Sequence, residues 1–413
     1  MDVRKRATAI VQRLVDEGYI AYFAGGWVRD FVMGHPSADI DIATNAAPEK
    51  ILDLFPKANL VGLAFGVVIV NFEGHNFEVA TFRKDVGYGG GRKPEKIELA
   101  TPQEDAWRRD FTINGMFYDP LSDTLHDFVN GVEDIKLGVI RTIGDPHERF
   151  IEDRLRMIRA IRFSARFNFP IDTETQRAIA LNAKTLFPAV AMERIWQEFN
   201  KMAKADRFDY ALIEMQRLGL LPVIFPALKT MSLEEIERRV ANFKDFPKDT
   251  PAILYLMELF PETSLNELLE ICQYLRTSVH EGKLVEFAYR GKHLLLLEEN
   301  LGDAIERIEW ANFYAHRFFD VCFDALAARY AQEERINLIE RHQQRRERLL
   351  PHIQRIAEKK PLITAAMLQD HGIMPGKHMG ELLKAAEHLS IKHDLHDENE
   401  VIELLKKSKL WHK

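Results

Sequence analysis

The acidic pair Asp39-Ile-Asp41 and the glycine turn before it, Ala24-Gly-Gly-Trp-Val-Arg-Asp30, are the residues whose types and spacing best suit chemistry. Adjacent glycines let a backbone approach a phosphate closely, because no Cβ stands in the way. Arg29, three residues past Gly26, offers a fork of donors to the same anion. The run Ala38-Asp-Ile-Asp-Ile42 alternates polar and apolar residues, which predicts a half-buried strand with Asp39 and Asp41 on one side of it. Paired carboxylates beside a phosphate site suit Mg²⁺, which takes oxygen ligands and keeps substrate phosphates in its shell. The chemistry implied is metal-assisted phosphoryl or nucleotidyl transfer. Taken singly, a Gly-Gly turn and an Asp-x-Asp triplet are common surface sequence; their order and spacing point to a site.

Three further groups can join it. Glu78 lies between apolar neighbours in Phe77-Glu-Val-Ala-Thr-Phe82 and offers a third carboxylate, or else an exposed strand position. Trp107-Arg-Arg-Asp-Phe-Thr-Ile-Asn114 brings Arg109, Asp110 and Asn114 together, a set able to bind phosphates and a ribose hydroxyl. Downstream, Asp153 and Arg156 stand at i and i+3, neighbours on one helix face. Arg159 and Arg162 follow at steps of three, each step lagging by ~60°, so that Arg162 is expected nearly opposite Asp153. A salt-bridged surface helix is the competing reading of that segment.

The elements that must position these groups follow from periodicity. Residues about 4–17 have helical spacing, Tyr19–Ala24 reads as a buried strand, and Trp27 to Met33 begins a helix whose N-terminus faces the glycines. Ala47–Phe55 is a short helix with Pro48 in its first turn. Val67–Phe72 and Phe77–Phe82 around Glu73-Gly-His-Asn76 read as a hairpin. The glycine-rich stretch Arg83–Pro94 reads as a flexible basic loop. Thr101-Pro-Gln-Glu104 and Asp145-Pro-His-Glu148 are helix-start signals, the second opening a helix expected to run unbroken from Phe150 to Phe163. From about residue 190 everything is helical in pattern. Residues about 334–360 carry Arg341, Arg345, Arg346, Arg348, Arg355, Lys359 and Lys360, either a solvated face or a surface for a nucleic-acid backbone. His371-Gly-Ile-Met-Pro-Gly-Lys-His-Met-Gly380 precedes a further helix whose N-terminus suits a phosphate.

The bulk numbers allow such an enzyme. With 413 residues the chain is long enough for two to four units, and 46% hydrophobic with 29% charged residues fits a folded globular protein. A net charge of −7 gives no global basic signal, although nucleic-acid binding depends on local patches. Cys272 and Cys322 sit in apolar helical contexts, with neither disulfide nor zinc spacing. The N-terminus lacks an apolar signal segment and no run of about 18 apolar residues occurs, so a cytoplasmic location with no membrane partner is expected.

These motifs together identify a family. Gly25-Gly-Trp-Val-Arg-Asp30, Asp39-Ile-Asp41, Glu78-Val-Ala-Thr-Phe-Arg83, Arg108-Arg-Asp-Phe-Thr-Ile-Asn114, Glu152-Asp-Arg-Leu-Arg156 and Glu193-Arg-Ile195 resemble, in order and spacing, the class II tRNA nucleotidyltransferases, which include CCA-adding enzymes and bacterial poly(A) polymerases. The resemblance covers residues about 20–225, and Pro375–Gly380 looks like the family's tail element. It implies an α+β fold: an N-terminal nucleotidyltransferase head with a mixed β-sheet and helices over 1–138, then an all-α neck with a nucleotide-selecting helix over 139–205, a helical body over 206–334 and an RNA-binding helical tail over 335–413. The segment Tyr88-Gly-Gly-Gly-Arg-Lys-Pro94 departs from the family's loop, where an acidic residue and a second arginine usually precede the proline. His126-Asp127, His393-Asp394 and His396-Asp397 lack the companions of a fused phosphohydrolase, and none is expected.

The expected activity is template-independent addition of C, C and A to tRNA 3′ ends from CTP and ATP by two-metal transfer. Asp39 and Asp41 are the expected Mg²⁺ ligands, with Glu78 as a further catalytic carboxylate. Gly25, Gly26 and Arg29 are expected at the triphosphate, with Arg109, Asp110 and Asn114 at phosphate and ribose. Cytosine and adenine each present an amino donor beside a ring-nitrogen acceptor. A carboxylate only accepts and a guanidinium only donates, so Asp153 and Arg156 suit C or A and reject U and G. The resemblance adds Arg159 and Arg162 to the nucleotide contacts. The alternatives are an A-only adding enzyme or poly(A) polymerase acting on another RNA 3′ end, and a non-catalytic RNA-binding protein. No obligatory protein partner is expected.

Overall fold

The computed structural model describes residues 2–35, 37–60, 66–88, 94–301 and 305–412. They form two units, Met1–Arg239 and Val240–Lys413.

The first unit is built on a seven-stranded mixed sheet. In chain order the strands are β1 (Ala21–Ala24), β2 (Asp41–Thr44), β3 (Ala58–Leu60), β4 (Val67–Phe72), β5 (His75–Thr81), then β8 (Phe117–Asp119) and β9 (Thr124–His126), after the separate pair β6 (Arg83–Tyr88) and β7 (Pro94–Leu99). The spatial order is β3-β4-β5-β2-β1-β8-β9. Only β2 and β5 run parallel; the other pairings are antiparallel. The expected hairpin is β4–β5, paired from Val67↔Ala80 to Phe72↔His75.

Side-chain alternation sorts the strands onto two apolar layers. Phe23, Ile42, Phe77 and Val79 face one layer, which helix α1 (Val3–Asp16) covers with Ala7, Ile10, Val11 and Leu14. Ala24, Ala43, Phe82 and Phe117 face the other. Asp41, two residues before Ala43, therefore belongs to the second side, away from the α1 layer. The expected helices α2 (Gly26–Val32), α3 (Pro48–Leu54) and α4 (Pro102–Trp107) follow, the last with the capping box of Thr101 and Glu104 in place.

Three expectations need correction. The strand carrying the acidic pair starts at Asp41, so Asp39 sits just ahead of it, although Ile40 still points into the α1 layer. The stretch read as a basic loop is mostly a hairpin, β6 pairing with β7 from Arg83↔Leu99 to Tyr88↔Pro94; residues 89–93, with the glycine-rich departure, lie outside the described residues. The helix expected to run unbroken to Phe163 is interrupted. After α5 (Gly131–Leu137), α6 (Pro146–Glu152) stops at Asp153, whose φ of −144° and ψ of 102° are extended, and α7 (Leu155–Phe167) begins afresh. The Asp153 carboxylate accepts from the Leu155 N–H at 3.1 Å, satisfying a free donor of the new helix.

Helices α8 (Thr173–Asn182), α9 (Leu186–Ala189), α10 (Met192–Ala203) and α11 (Phe208–Arg217) follow, with α10 and α11 packed on α7. The second unit is helical among its described residues, including Val279–Leu301, Arg307–Ala315, Phe319–Ala327, Gln332–Glu358, Lys377–His393 and Glu398–Lys406. Cys272 and Cys322 are buried free thiols. No helix among the described residues is long and apolar enough to cross a membrane.

Candidate active site

A cavity of about 680 Å³ gathers nearly every residue singled out from the sequence. Gly25, Gly26, Arg29, Asp39, Asp41, Arg109, Asp110, Asn114, Asp153, Arg156, Arg159 and Arg162 all line it. The exception is Glu78, which lies on the neighbouring strand β5. Ile42 pairs with Val79 in the parallel β2–β5 ladder, so one step back sets Glu78 opposite Asp41. Val79 faces the α1 layer, hence Glu78 faces the same side as Asp41.

The electrostatics agree. Burial, then the charges of Glu78 and Asp39, push the Asp41 carboxyl up to about 6, with Arg109 partly offsetting them. This cluster is acidic, oxygen-rich and mutually repulsive, which is the donor set a hard divalent cation relieves. Asp39, Asp41 and Glu78 thus fit a divalent ion such as nucleotidyltransferases use. Elsewhere, His352, Asp394 and His396 bring ligand atoms within 4.8 Å of one another. There Arg355 lies 2.9 Å from His352 Nδ1 and Arg307 lies 3.1 Å from Asp394, so two guanidinium groups already answer that carboxylate and ring.

Gly25 connects the acids to the arginines. Ala24 pairs with Asp41, and the next residue, Gly25, takes φ 67° and ψ −131°, a conformation that only glycine adopts at low cost. A Cβ there would lie 3.4 Å from Arg109 Nη1 and 3.5 Å from Asp41 Oδ2, in the space between them. Arg29 is buried and held by Asp30 and by Asn114, whose Oδ1 accepts from Nη1 at 2.6 Å. Its guanidinium also lies 4.6 Å over the Phe167 ring.

Asp105 and Asp110 organise the next segment. Asp105 is buried and pairs with Arg108 at 2.7 Å and Arg109 at 3.0 Å. Asp110 accepts from Arg159 at 2.8 Å and from the Asn114 amide at 3.2 Å. Burial pushes its carboxyl up, but Arg159, Arg156 and Asn114 outweigh that and hold it at about 2. Its carboxylate thus ties α7, through Arg159, to the Asp105–Asn114 segment.

The break at Asp153 changes the geometry drawn from the helical wheel. Asp153 is not on α7, so neither its expected place beside Arg156 on one helix face nor its expected opposition to Arg162 holds; all three nevertheless line the cavity. Arg156, Arg159 and Arg162 share one face of α7, and each has an acidic partner. Arg156 meets Glu152 at 2.6 Å and the Arg108 carbonyl at 3.1 Å. Arg162 donates to buried Glu198 at 2.5 Å. Asp153 is held by Arg194 at 2.7 Å.

Several residues at the cavity were not among those expected from the sequence. Arg166 also lines the cavity; it stands four residues after Arg162, one helical turn further along α7, a signal that was present. Lys201 and Glu198 come from α10 and had no local signal; only the packing of α10 on α7 brings them in. Eight cationic and five acidic side chains line the cavity, a surplus of three positive charges that favours a polyanion.

In the second unit, the basic helix Gln332–Glu358 already commits several of its arginines to partners within the unit. Arg341 and Arg345 pair with Glu298 at 3.2 and 2.6 Å, Arg346 with Asp320 at 3.4 Å, and Arg355 donates to Ser390 at 2.8 Å.

A mixed sheet presenting carboxylates beside a glycine turn, facing an arginine-lined polar cavity, defines a nucleotidyltransferase. The Poly A polymerase head domain family matches residues 21–141, and the family described as a probable RNA and SrmB-binding site of polymerase A matches 168–231. The CCA-adding enzyme of Pediococcus pentosaceus is 31% identical over 401 residues, 95% of each chain. That of Lactobacillus helveticus is 42% identical over 202 residues, and there the chain spans about half of its relative's length. The crystal structure of the Bacillus stearothermophilus CCA-adding enzyme in complex with CTP superposes with a TM-score of 0.79 at 26% identity, covering 98% of both chains. A Thermotoga maritima CCA-adding enzyme complexed with tRNA shares the fold, with a TM-score of 0.67 at 21% identity over 97% of this chain and 94% of that one. The chain belongs to the CCA-adding enzyme family of tRNA nucleotidyltransferases.

Proposed function

We propose that this chain is a cytoplasmic enzyme that adds C, C and A to tRNA 3′ ends from CTP and ATP, releasing pyrophosphate and using no nucleic-acid template. The observation that carries the reading is one cavity holding both halves of the task. Asp39 and Asp41, with Glu78 beside Asp41 on the next strand, supply its carboxylate pair, and Asp153 and Arg156 form part of its arginine-rich wall. Kinship with relatives named CCA-adding enzymes supports the same reading.

Asp39 and Asp41 would hold Mg²⁺, which when bound supplies Lewis acidity toward the primer 3′-hydroxyl and the departing pyrophosphate. Gly25 and Gly26 leave room for a triphosphate, and Arg109 borders that space. Arg29 and Asn114, locked together, brace the turn. Asp110 orients Arg159 toward the cavity, while Glu198 orients Arg162. Asp153 accepts from the amino group of C or A, and Arg156 donates to the adjacent ring nitrogen. Uracil and guanine reverse that pattern and leave buried polar groups unpaired. We assign 1–138 to the catalytic head, 139–205 to the nucleotide-selecting neck, 206–334 to the body and 335–413 to the RNA-binding tail.

The test is to incubate the protein with tRNA lacking its 3′ CCA, with CTP, ATP and Mg²⁺, and to sequence the 3′ ends. CCA ends support the proposal. Ends carrying only A or long A runs would replace it with the A-adding reading, and unextended ends with the RNA-binding one.

A further inference from the structure

The second unit contains a cavity of about 670 Å³, within the range of about 300–1,000 Å³ of small-molecule sites. Its apolar wall is aromatic. Phe313 and Phe318 are buried, and Phe287 packs face to face on His316, with centroids 4.1 Å apart and planes 9° apart. His316 is itself exposed, so an aromatic surface is open to solvent. Gly291 keeps this wall in place: a Cβ there would sit 2.9 Å from Phe313 Cε2 and push the helix Val279–Leu301 off its neighbour.

The lining also carries uncommitted positive charge. Lys283 and Arg317 are exposed, and neither has an acidic partner among the described residues. The Arg317 guanidinium lies 4.6 Å over the Phe318 ring, which holds it beside the aromatic wall. Arg290, by contrast, is spent on Glu286 at 2.6 Å. Glu286 and Glu309 are the acidic members of the lining and can accept from an amino group. Aromatic faces take a base by stacking, and the free cations take a phosphate.

We propose that this cavity is a second nucleotide site, with a base against the aromatic wall and its phosphate on Lys283 and Arg317. The occupant is a nucleoside phosphate, either free or as one unit of an RNA strand. The proposal rests on the reading that the chain handles RNA and nucleoside triphosphates.

The test photolabels the full-length protein with 8-azidoadenosine 5′-monophosphate, and separately with a short single-stranded RNA carrying one 8-azidoadenosine. The labelled peptides are then mapped. Label is expected on peptides spanning 283–297 and 309–318. It should fall at least tenfold in Lys283→Glu/Arg317→Glu, and in His316→Ala should that double variant lose its circular dichroism. It should persist in Asp39→Ala/Asp41→Ala. Labelling by the monophosphate identifies a free nucleotide, and labelling by the RNA alone identifies a strand. Label confined to peptides of the first unit, or unchanged in the charge-reversed variant, overturns the proposal. Primer extension run in parallel separates the two readings. A protein that extends RNA but takes no label in the second unit loses this site and keeps its function. One that is labelled there but extends nothing keeps the site and loses the function.

Discussion

Arg194, on α10, donates to Asp153 Oδ2 at 2.7 Å while Oδ1 of the same carboxylate takes the Leu155 N–H at 3.1 Å. Both oxygens of the proposed base-reading acid are therefore anchored, one to each of two helices. An acid free to rotate would accept from several donor arrangements; an anchored one accepts from a fixed direction. Arg194→Ala is expected to lower the preference for CTP over UTP, measured as a ratio of kcat/KM, by about tenfold, the equivalent of one hydrogen bond of ~1.4 kcal/mol. Addition of C should continue. An unchanged ratio would show that Asp153 is oriented without Arg194.

Gly25 is expected to be intolerant of even one methyl group. Its backbone lies where other residues pay about 1–3 kcal/mol, and the added Cβ would occupy the space between Arg109 and Asp41. Gly25→Ala should cut kcat/KM for CTP about a hundredfold or more, a loss of at least ~2.7 kcal/mol in transition-state stabilisation. Thermal unfolding should shift by only a few degrees. A variant that unfolds early but keeps full turnover when cold would make the glycine's role purely conformational.

How legible this site was depends on where each residue's partners come from. Asp39 and Asp41 were readable because alternation along one strand is a local property, and it survives although the ladder begins only at Asp41. The capping box at Thr101 was readable for the same reason. The break at Asp153 was not, since Glu152-Asp-Arg-Leu-Arg156 contains neither Gly nor Pro. Aspartate's ability to restart a helix by capping it is a weak signal inside an otherwise helical pattern. Strands β3, β8 and β9 are three residues each, too short to show a period. The β6–β7 hairpin carries glycine and charge where apolar alternation would have marked it. Glu198 and Arg194 are assigned by the packing of α10 on α7, which no local window contains.

The acidic cluster makes a calorimetric prediction. Asp41 feels both Asp39 and Glu78, so a divalent cation should be held by the group rather than by one side chain. Titration of Mg²⁺ into the nucleotide-free protein should give binding that Asp41→Asn abolishes and that Glu78→Gln weakens about tenfold, near 1.4 kcal/mol for a neighbouring charge partly screened by solvent. Asp41→Asn should also lower turnover about a thousandfold or more. If Glu78→Gln binds Mg²⁺ as the parent does, Glu78 is a bystander on the strand.

Acid sensitivity is expected to originate in the second unit as well as at the site. Glu298 is buried against His342, Arg341 and Arg345, at 3.0, 3.2 and 2.6 Å. Burial pushes its carboxyl up, but those partners outweigh it and hold it at about 2, against an ordinary value of 4.5. A carboxyl depressed in the folded state contributes stability that is fully present above its unfolded value and is lost as pH falls through the folded one. The contribution should therefore be complete at pH 5 and above and fade between about pH 4.5 and 2. His342 adds to the trend: burial depresses its proton affinity, so the unfolded chain gains protons first as pH drops below 6.5. Glu298→Gln keeps the shape but leaves arginines without their counter-charge, and should destabilise the second unit by on the order of 3 kcal/mol at pH 7. Thermal unfolding followed from pH 7 to pH 3 should show the variant's deficit shrinking as the parent loses the same interaction. A deficit that stays constant over that range would mean that packing, and not the carboxylate's charge, holds this helix pair together.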